Sequence, residues 1–300
     1  MVLAAEAVIV EDGVAGGGIN PGNANSSPRS FTDVNGTVYF SATDAANGTE
    51  LWRINGSGVA ELVEDAVPGG GIYPGSSGSY PTDLMNVNGT LYFRAAEDNS
   101  FGSVEYDPHG YELWRINGSG VAEMVEDDVP GGGINNNYFV DTTGMLTVAF
   151  GSDPRELTNV NGTLYFGANG YELWRINGSG VAELVVGLSY LRELTNVNGT
   201  LYFQANDGGR INGYELWRIN GSGVAEMVED AVPGGGINPG RASSDPDSLT
   251  NVNGTLYFVA TDGINGYELW RINGSGVAEL VEDAVPGGGI NPGRDRKSVV

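Results

Sequence analysis

Along most of the chain, short apolar runs alternate with tight polar turns, and the alternation itself repeats. In the last repeat an apolar run at 248–253 meets an Asn-Gly turn and continues as Thr255–Thr261. Tyr267–Ile272 follows, and after a second Asn-Gly turn (Asn273, Gly274) comes Val277–Asp283. Asn-Gly between apolar runs is a strong hairpin signal, because both residues tolerate the positive φ of a type I′ turn, whose twist matches that of the flanking strands. Each unit is therefore expected to hold four short antiparallel strands, a to d. Strand b is almost continuously apolar, as suits a strand covered on both faces. Strand c alternates, with Glu268, Trp270 and Ile272 on one face and Leu269 and Arg271 on the other. No amphipathic helical segment of three turns interrupts the pattern.

Two motifs set the repeat. Glu-Leu-Trp-Arg-Ile-Asn-Gly-Ser-Gly occurs five times unchanged, at 50–58, 112–120, 172–180, 215–223 and 268–276, and holds every tryptophan: Trp52, Trp114, Trp174, Trp217 and Trp270. Val-Asn-Gly-Thr-Leu/Val-Tyr-Phe precedes each copy, at 34–40, 87–93, 160–166, 197–203 and 252–258. A period of roughly 50 residues with strands and turns in every unit is the signature of a propeller or related array sharing one continuous core. The expected fold is all-β: a five-bladed β-propeller of four-stranded antiparallel blades, its ring closed by a terminal strand. The expected domain is a single one, 5–293, with repeats at about 34–65, 84–127, 157–186, 194–230 and 249–283 and a disordered tail, 294–300. An extra N-terminal strand is expected at 5–12, because Ala5–Gly22 matches the sequence around Leu280–Gly293. That makes one strand d surplus, able to close the ring or to pair with another chain, since an open edge is a template for association.

The a–b and c–d turns never vary in length. The b–c connection does, from the short Phe166-to-Trp174 spacing to the long Phe93-to-Trp114 spacing, and so does d–a. In an up-and-down blade these two connections emerge at the same end, so one face carries every irregular loop. Variable loops on a rigid scaffold are where binding residues concentrate. The d–a loop usually reads Pro-Gly-Gly-Gly-Ile-Asn-Pro-Gly, as at 233–240 and 286–293. Unit two carries an insertion, Asn135–Pro154, with Tyr138, Phe139, Met145 and Phe150 in it, and unit three lacks the glycine loop. These apolar residues are expected to pack beneath their loops rather than to form an interface.

The run Leu-Thr-Asn-Val-Asn-Gly-Thr-Leu-Tyr-Phe (194–203 and 249–258), followed by Tyr-Glu-Leu-Trp, resembles the bacterial ELWxxDGT repeat. The resemblance covers nearly the whole chain, Ala5 to Gly293, and implies a β-propeller from a large extracellular bacterial protein. Where the family has Asp-Gly-Thr this chain has Asn273, Gly274 and Ser275, so the turn survives and one carboxylate per blade is lost. The family implies no catalytic residues.

Charge narrows the partners. A formal net charge of −24 repels nucleic-acid backbones and anionic lipid, so neither nucleic-acid binding nor membrane insertion is expected. There is no cysteine, hence no disulfide framework, and no run approaches the ~20 apolar residues of a membrane span. Met1–Val10 lacks a basic start and reads as no secretory signal. An extracellular or cell-surface location is expected all the same.

The candidate chemistry sits on the loops. The Asn-Gly-Thr/Ser tripeptides match glycosylation acceptors, but the turn reading accounts for all ten copies. The motif tryptophans are expected in the core rather than stacked on sugar. The motif glutamates (Glu50, Glu112, Glu172, Glu215, Glu268) are expected to pair with the motif arginines, the alternative being that they line a central channel and bind a cation. No cofactor is required; calcium is the one that the Glu-Asp pairs at 64–65, 126–127, 229–230 and 282–283 and the adjoining loops would admit. A second metal candidate is Asp98, Glu105, Asp107 and His109, in the longest b–c loop, with a plain solvated loop as the alternative. Ligand contacts are expected from Asn20, Tyr73, Asn135, Asn238, Asn291, Asp262, Asn265 and Tyr267. The function expected is non-catalytic recognition of a repetitive extracellular ligand, a glycan, with avidity from repeated sites. The alternatives are a structural module of a surface or adhesion protein and, third, a glycosidase using Glu105 or Asp107. No enzyme activity is expected, because near-identical blades make an asymmetric catalytic centre poorly.

Overall fold

The computed structural model describes residues 9–13, 18–20, 24–73, 75–96, 110–129, 133–134, 139–140, 146–147, 151–169, 172–206, 213–231, 236–238, 243–282 and 290. Every regular element among them is a strand. Blade 1 is β1 (Arg29–Val34), β2 (Thr37–Asp44), β3 (Gly48–Ile54) and β4 (Ala60–Leu62). Blade 2 is β5 (Thr82–Val87), β6 (Thr90–Ala96), β7 (Tyr111–Ile116) and β8 (Ala122–Met124). A two-stranded ladder, β9 (Phe139–Val140) with β10 (Leu146–Thr147), lies in the insertion. Blade 3 is β11 (Arg155–Val160), β12 (Thr163–Ala168), β13 (Glu172–Ile176) and β14 (Ala182–Val186). Blade 4 is β15 (Ser189–Val197), β16 (Thr200–Asn206), β17 (Tyr214–Ile219) and β18 (Ala225–Met227), and blade 5 is β19 (Asp247–Val252), β20 (Thr255–Thr261), β21 (Tyr267–Ile272) and β22 (Ala278–Leu280).

Each blade is one four-stranded antiparallel sheet in sequence order, so the all-β, five-bladed class read from the sequence is the one observed. Closure of a ring is not shown. The chain forms two compact units: Met1–Arg155 with Gly178–Ala182, and Glu156–Asn177 with Glu183–Val300.

The register explains the motifs. The motif Phe of strand b faces the motif Trp of strand c in each blade, as in Phe40↔Trp52, Phe93↔Trp114 and Phe258↔Trp270. Strand c then sets Trp against Leu or Met, and Arg against Glu, on strand d: Trp52↔Leu62 and Arg53↔Glu61. Four of the motif phenylalanines, Phe93, Phe166, Phe203 and Phe258, are among the most completely buried side chains, each contributing about 1.5–3 kcal/mol of transfer free energy. Within each unit, neighbouring blades share cores. Val34, Tyr39, Leu51, Val63 and Ile72 of blade 1 pack on Leu91, Phe93, Ala95, Trp114, Ile116 and Ala122 of blade 2. Val197, Tyr202, Leu216, Val228 and Ile237 of blade 4 pack the same way on Leu256, Phe258, Ala260, Trp270, Ile272 and Ala278 of blade 5.

Strands b and c of the last blade match the expected bounds, but a and d do not. Strand d is only Ala278–Leu280, although Val281 N still donates to Leu269 O. Blade 1 shows why the ladder ends there: Glu64 Oε2 accepts from the amides of Gly69, Gly70 and Gly71, curling the chain into the loop. Blade 1 also begins at Arg29, before the expected 34, because Val34 is the last residue of its strand a and most of that strand is exposed. Strand a bulges in blades 1, 2, 4 and 5, and a non-glycine residue adopts positive φ at the equivalent place in all five: Ser30, Asp83, Glu156, Glu193 and Ser248. The expected strand at 5–12 is described only from Ile9, with no strand in it, and the tail 294–300 lies outside the described residues.

The motif Arg joins blades. Arg53 pairs with Glu61 across its own sheet, and its Nη1 donates to Gly120 O on the c–d turn of the next blade at 3.0 Å. Arg115 does the same with Glu123 and Gly180 O, and Arg218 with Glu226 and Gly276 O. The last Gly of the motif has φ near +76° at Gly120, where a Cβ would stand 2.7 Å from Arg53 Nη1. The Arg and that Gly thus act together at these three blade-to-blade steps.

Candidate functional site

The pairing expected between motif Glu and motif Arg is not what forms. Each Arg takes the Glu of strand d, directly opposite on the ladder, which leaves the motif Glu to a partner from the loop. Glu50, Glu112 and Glu215 are buried. In blade 1, Glu50 Oε1 accepts from Tyr73 N (3.2 Å) and Ser79 N (2.9 Å), while Oε2 accepts from Ile72 N (3.2 Å) and meets Ser79 Oγ at 2.6 Å. Ser152 N and Oγ approach Glu112 at 2.9 and 2.5 Å, and Ser244 N and Oγ approach Glu215 at 3.1 and 2.6 Å. The carboxylate is thus a staple that draws the glycine loop and the Ser before strand a onto strand c. Burial pushes the Glu50 carboxyl up to about 7 and the Glu215 carboxyl up to about 8, against the lowering effect of these donors.

The third glycine of each loop has a steric reason. Gly71, Gly133 and Gly236 have φ of +85°, +86° and +84°, and a Cβ on them would lie 2.5–2.8 Å from the nearest atom of the stapling carboxylate. Gly236→Ala is expected to destabilise the protein by about 1–3 kcal/mol, combining left-handed strain with displacement of the Glu215 carboxylate. Chemical denaturation checks it, with Gly274→Ala, where a Cβ meets nothing within 4 Å, as the near-neutral control.

After this Ser, stapled at Ser79, Ser152 and Ser244 and present in sequence as Ser26 and Ser189, comes a residue in left-handed backbone: Ser27 (φ 42°), Tyr80 (49°), Asp153 (44°), Tyr190 (57°) and Asp245 (43°). The amides of Tyr80, Asp153 and Asp245 donate to Thr49 O, Tyr111 O and Tyr214 O at the start of strand c. Their side chains stand at the loop end, fixed in direction by the backbone beneath. Asp153 takes Arg94 (2.6 Å) and Arg155 (2.5 Å), and Arg94 lies over the Tyr111 ring. Asp245 accepts from Ser243 Oγ (2.5 Å) and from Tyr267 OH (3.0 Å). The hydrogen bond to Asp245 holds the Tyr267 hydroxyl above its ordinary range. The Tyr267 ring is 63% exposed, and Tyr80 and Tyr190 are exposed as well.

Of the expected ligand residues, Tyr267 stands exposed and joined to Asp245, a residue that spacing alone did not single out. Asp262 and Asn265 lie beside it, but they spend their polar atoms on each other and on the turn: Asp262 Oδ1 accepts from the amides of Ile264 and Asn265, and Asn265 Nδ2 donates to Oδ2. Asn20 and Asn238 are buried, and their Nδ2 atoms brace the loop by donating to Asn25 O and Ser243 O. Tyr73 gives its amide to Glu50. Asn135, Asn291, Asp98, Glu105, Asp107 and His109 lie outside the described residues. Among the described residues, no group of three or more His, Asp or Glu is placed to hold a metal ion. In the first Glu-Asp pair, one of those that would admit calcium, Glu64 binds loop amides and Asp65 accepts from Val67 N.

No family model and no curated protein matches the chain. Similar solved structures include a puromycin hydrolase mutant complexed with PGG (12% identity, TM-score 0.45, covering 86% of this chain and 38% of that one). Others are a GH43 glycoside hydrolase engineered for endo-xylanase and exo-arabinofuranosidase activity (15%, 0.30, 85% and 52%) and a Trypanosoma rangeli sialidase (12%, 0.31, 84% and 47%). These neighbours are hydrolases. The expectation that the chain is no enzyme is corrected on that finding, although at such identities and TM-scores the likeness carries no reaction over to it. The chain spans about half or less of the length of these three structures.

Proposed function

We propose that the chain recognises a repetitive extracellular ligand, a glycan, through the residues at the loop ends of its blades. The observation that supports this is the Tyr267–Asp245 pair: an exposed aromatic ring held by a carboxylate, on a loop whose backbone is stapled from below. An exposed ring offers a stacking face for the C–H side of a sugar, and the carboxylate beside it accepts sugar hydroxyls. Tyr80 and Tyr190 stand exposed at the place of Asp245 in other blades and offer rings there, so that weak contacts add by avidity. Among the described loop residues, the amides of Gly69, Gly70, Gly71, Ile72 and Tyr73 are taken by Glu64 and Glu50, which leaves the projecting side chains to meet a ligand.

A glycan array, run with and without a calcium chelator, tests the reading. Binding to one class of sugar polymer is expected, and a blank array in both conditions rejects it. Tyr267→Ala should weaken single-site binding roughly tenfold, about 1.4 kcal/mol for one aromatic contact, with the thermal midpoint unchanged.

A further inference from the structure

We propose, resting on the glycan reading above, that the Tyr214, Asp245 and Tyr267 cluster at the loop end of blades 4 and 5 takes a sugar bearing a free amine, so that the glycan recognised is a cationic one. The molecule carries its own template for such a site. In blade 2 the guanidinium of Arg94 lies 3.6 Å from the centroid of the Tyr111 ring, and its Nη2 donates to Asp153 Oδ1 at 2.6 Å. A cation is thus seated between the ring of the residue that opens strand c and the carboxylate of the left-handed residue in the next loop. The aromatic face attracts a cation through its quadrupole, and the carboxylate adds a charge-assisted hydrogen bond.

The same frame recurs in blades 4 and 5 without its cation. Tyr214 opens β17 as Tyr111 opens β7, and Asp245 N donates to Tyr214 O as Asp153 N donates to Tyr111 O. Arg94 follows the motif Phe93; the residue after Phe203 is the uncharged Gln204, whose Nε2 donates instead to Pro246 O at 2.8 Å. Arg155, the second guanidinium on Asp153, is replaced by Asp247. Among the described residues Asp245 therefore has no cationic partner. Its Oδ1 accepts from Ser243 Oγ and its Oδ2 from Tyr267 OH, both neutral hydroxyls. A carboxylate has about four lone-pair sites, so these two bonds leave it able to accept from an ammonium as well.

Aromatic rings surround the slot. Tyr190 meets Tyr214 in a T-shaped contact, with ring centroids 5.9 Å apart, and the exposed Tyr267 is tied to Asp245 through its hydroxyl. All of these residues lie within the second compact unit. A pyranose stacks its C–H face on the Tyr267 ring while an amino substituent reaches the carboxylate. A hydroxyl in the amine's place gains a weaker, uncharged donor's bond. The net charge of −24 draws a cationic polymer to the surface as a whole, and the slot decides where it seats. A basic peptide offers the same charge but no rigid C–H face for Tyr267.

Calorimetric titration of the full chain with short glucosamine oligomers, and with the same oligomers fully N-acetylated, decides it. At physiological ionic strength the free-amine series is expected to bind about tenfold more tightly than the acetylated one. Asp245→Asn should remove that preference. So should Gln204→Arg, which supplies from within the guanidinium that Arg94 supplies in blade 2 and leaves Asp245 in place. Each variant shifts the net charge by a single unit out of 24, so bulk attraction of a polycation survives both and seating in the slot survives neither. Circular dichroism confirms that the variants are folded. Equal binding of the two series overturns the cationic site and leaves the wider glycan reading standing. A preference that either folded variant retains overturns it too, as does tight binding of oligolysine with none of the glucosamine oligomers. A chain that binds no glycan at all, on the array or in these titrations, removes both.

Discussion

Glu215→Ala is expected to cost about 3–5 kcal/mol, the largest effect of any single substitution at the loop end. It leaves the Ser244 amide and hydroxyl and the Ile237 amide without their acceptor, and each buried donor left bare costs about 1–3 kcal/mol. It also releases Ile237, fully buried in the core shared by blades 4 and 5. Urea denaturation gives the total, and hydrogen exchange locates it: the amides of Ile237 and Ser244 should lose protection before those of Phe203 and Leu216. Glu268→Ala supplies the comparison. That glutamate is half-buried and bonds Ile290, itself exposed, so its loss should cost under about 1 kcal/mol. Equal costs at the two positions would show that the staple does not hold the loop.

Stability should fall as the pH rises from 5 to 9, by a few kcal/mol. The direction follows from proton counting. Burial raises the Glu50 carboxyl to about 7 and the Glu215 carboxyl to about 8, both from an ordinary value of 4.5. Below 4.5 both folded and unfolded forms hold the protons, and the stabilising contribution is complete. Above 4.5 the unfolded chain releases them while the folded chain keeps them, so stability declines until the folded groups ionise near 7 and 8. At about 1.36 kcal/mol per unit, Glu50 alone accounts for at most about 3 kcal/mol. The surface carboxylates act in the opposite sense but in another window. Glu226, held low by Asn220 and Arg218, and Glu279, held low by Arg271 and Asn273, lend stability that is lost only in acid, below their ordinary range. Urea midpoints at pH 5, 7 and 9 test the decline, and the double variant Glu50→Gln, Glu215→Gln should flatten it. A midpoint rising from pH 5 to 9 would reverse the assignment.

The blades were legible in the sequence because their information is local. The a–b Asn-Gly turn has both residues at positive φ, as expected, and fixes the register of its own hairpin, whereas the c–d turn does not take the expected form: its Asn and first Gly are not at positive φ and its last Gly is, as at Gly276. The staple was not legible, because Glu50 and Ser79 lie far apart in sequence and the loop between such pairs varies from blade to blade. A signal was present in Ser79-Tyr80-Pro81, Ser152-Asp153-Pro154 and Ser244-Asp245-Pro246, each at the same distance before the a–b turn. Read beside the glycine loop, it marks a serine that recurs as faithfully as the glutamate. The choice of Arg partner was open for a related reason: strand c shows Glu and Arg three residues apart, and only the ladder to strand d shows that Glu61 stands opposite Arg53. Asp245 was missed because its importance comes from Tyr267, which lies beyond strands a and b and the b–c loop of the same blade.

The left-handed residue after the stapled serine has a consequence for how such a chain diversifies. The backbone there is tied down by Ser79 on one side and Pro81 on the other, so the frame tolerates a change of side chain. Ser, Tyr, Asp, Tyr and Asp occupy this place in turn, while the serine before it recurs in all five repeats and a proline follows it in four. One codon per repeat thus rewrites what a blade displays. A gene that duplicates its blades can alter its recognition surface one letter at a time, each trial carrying almost no risk to the scaffold.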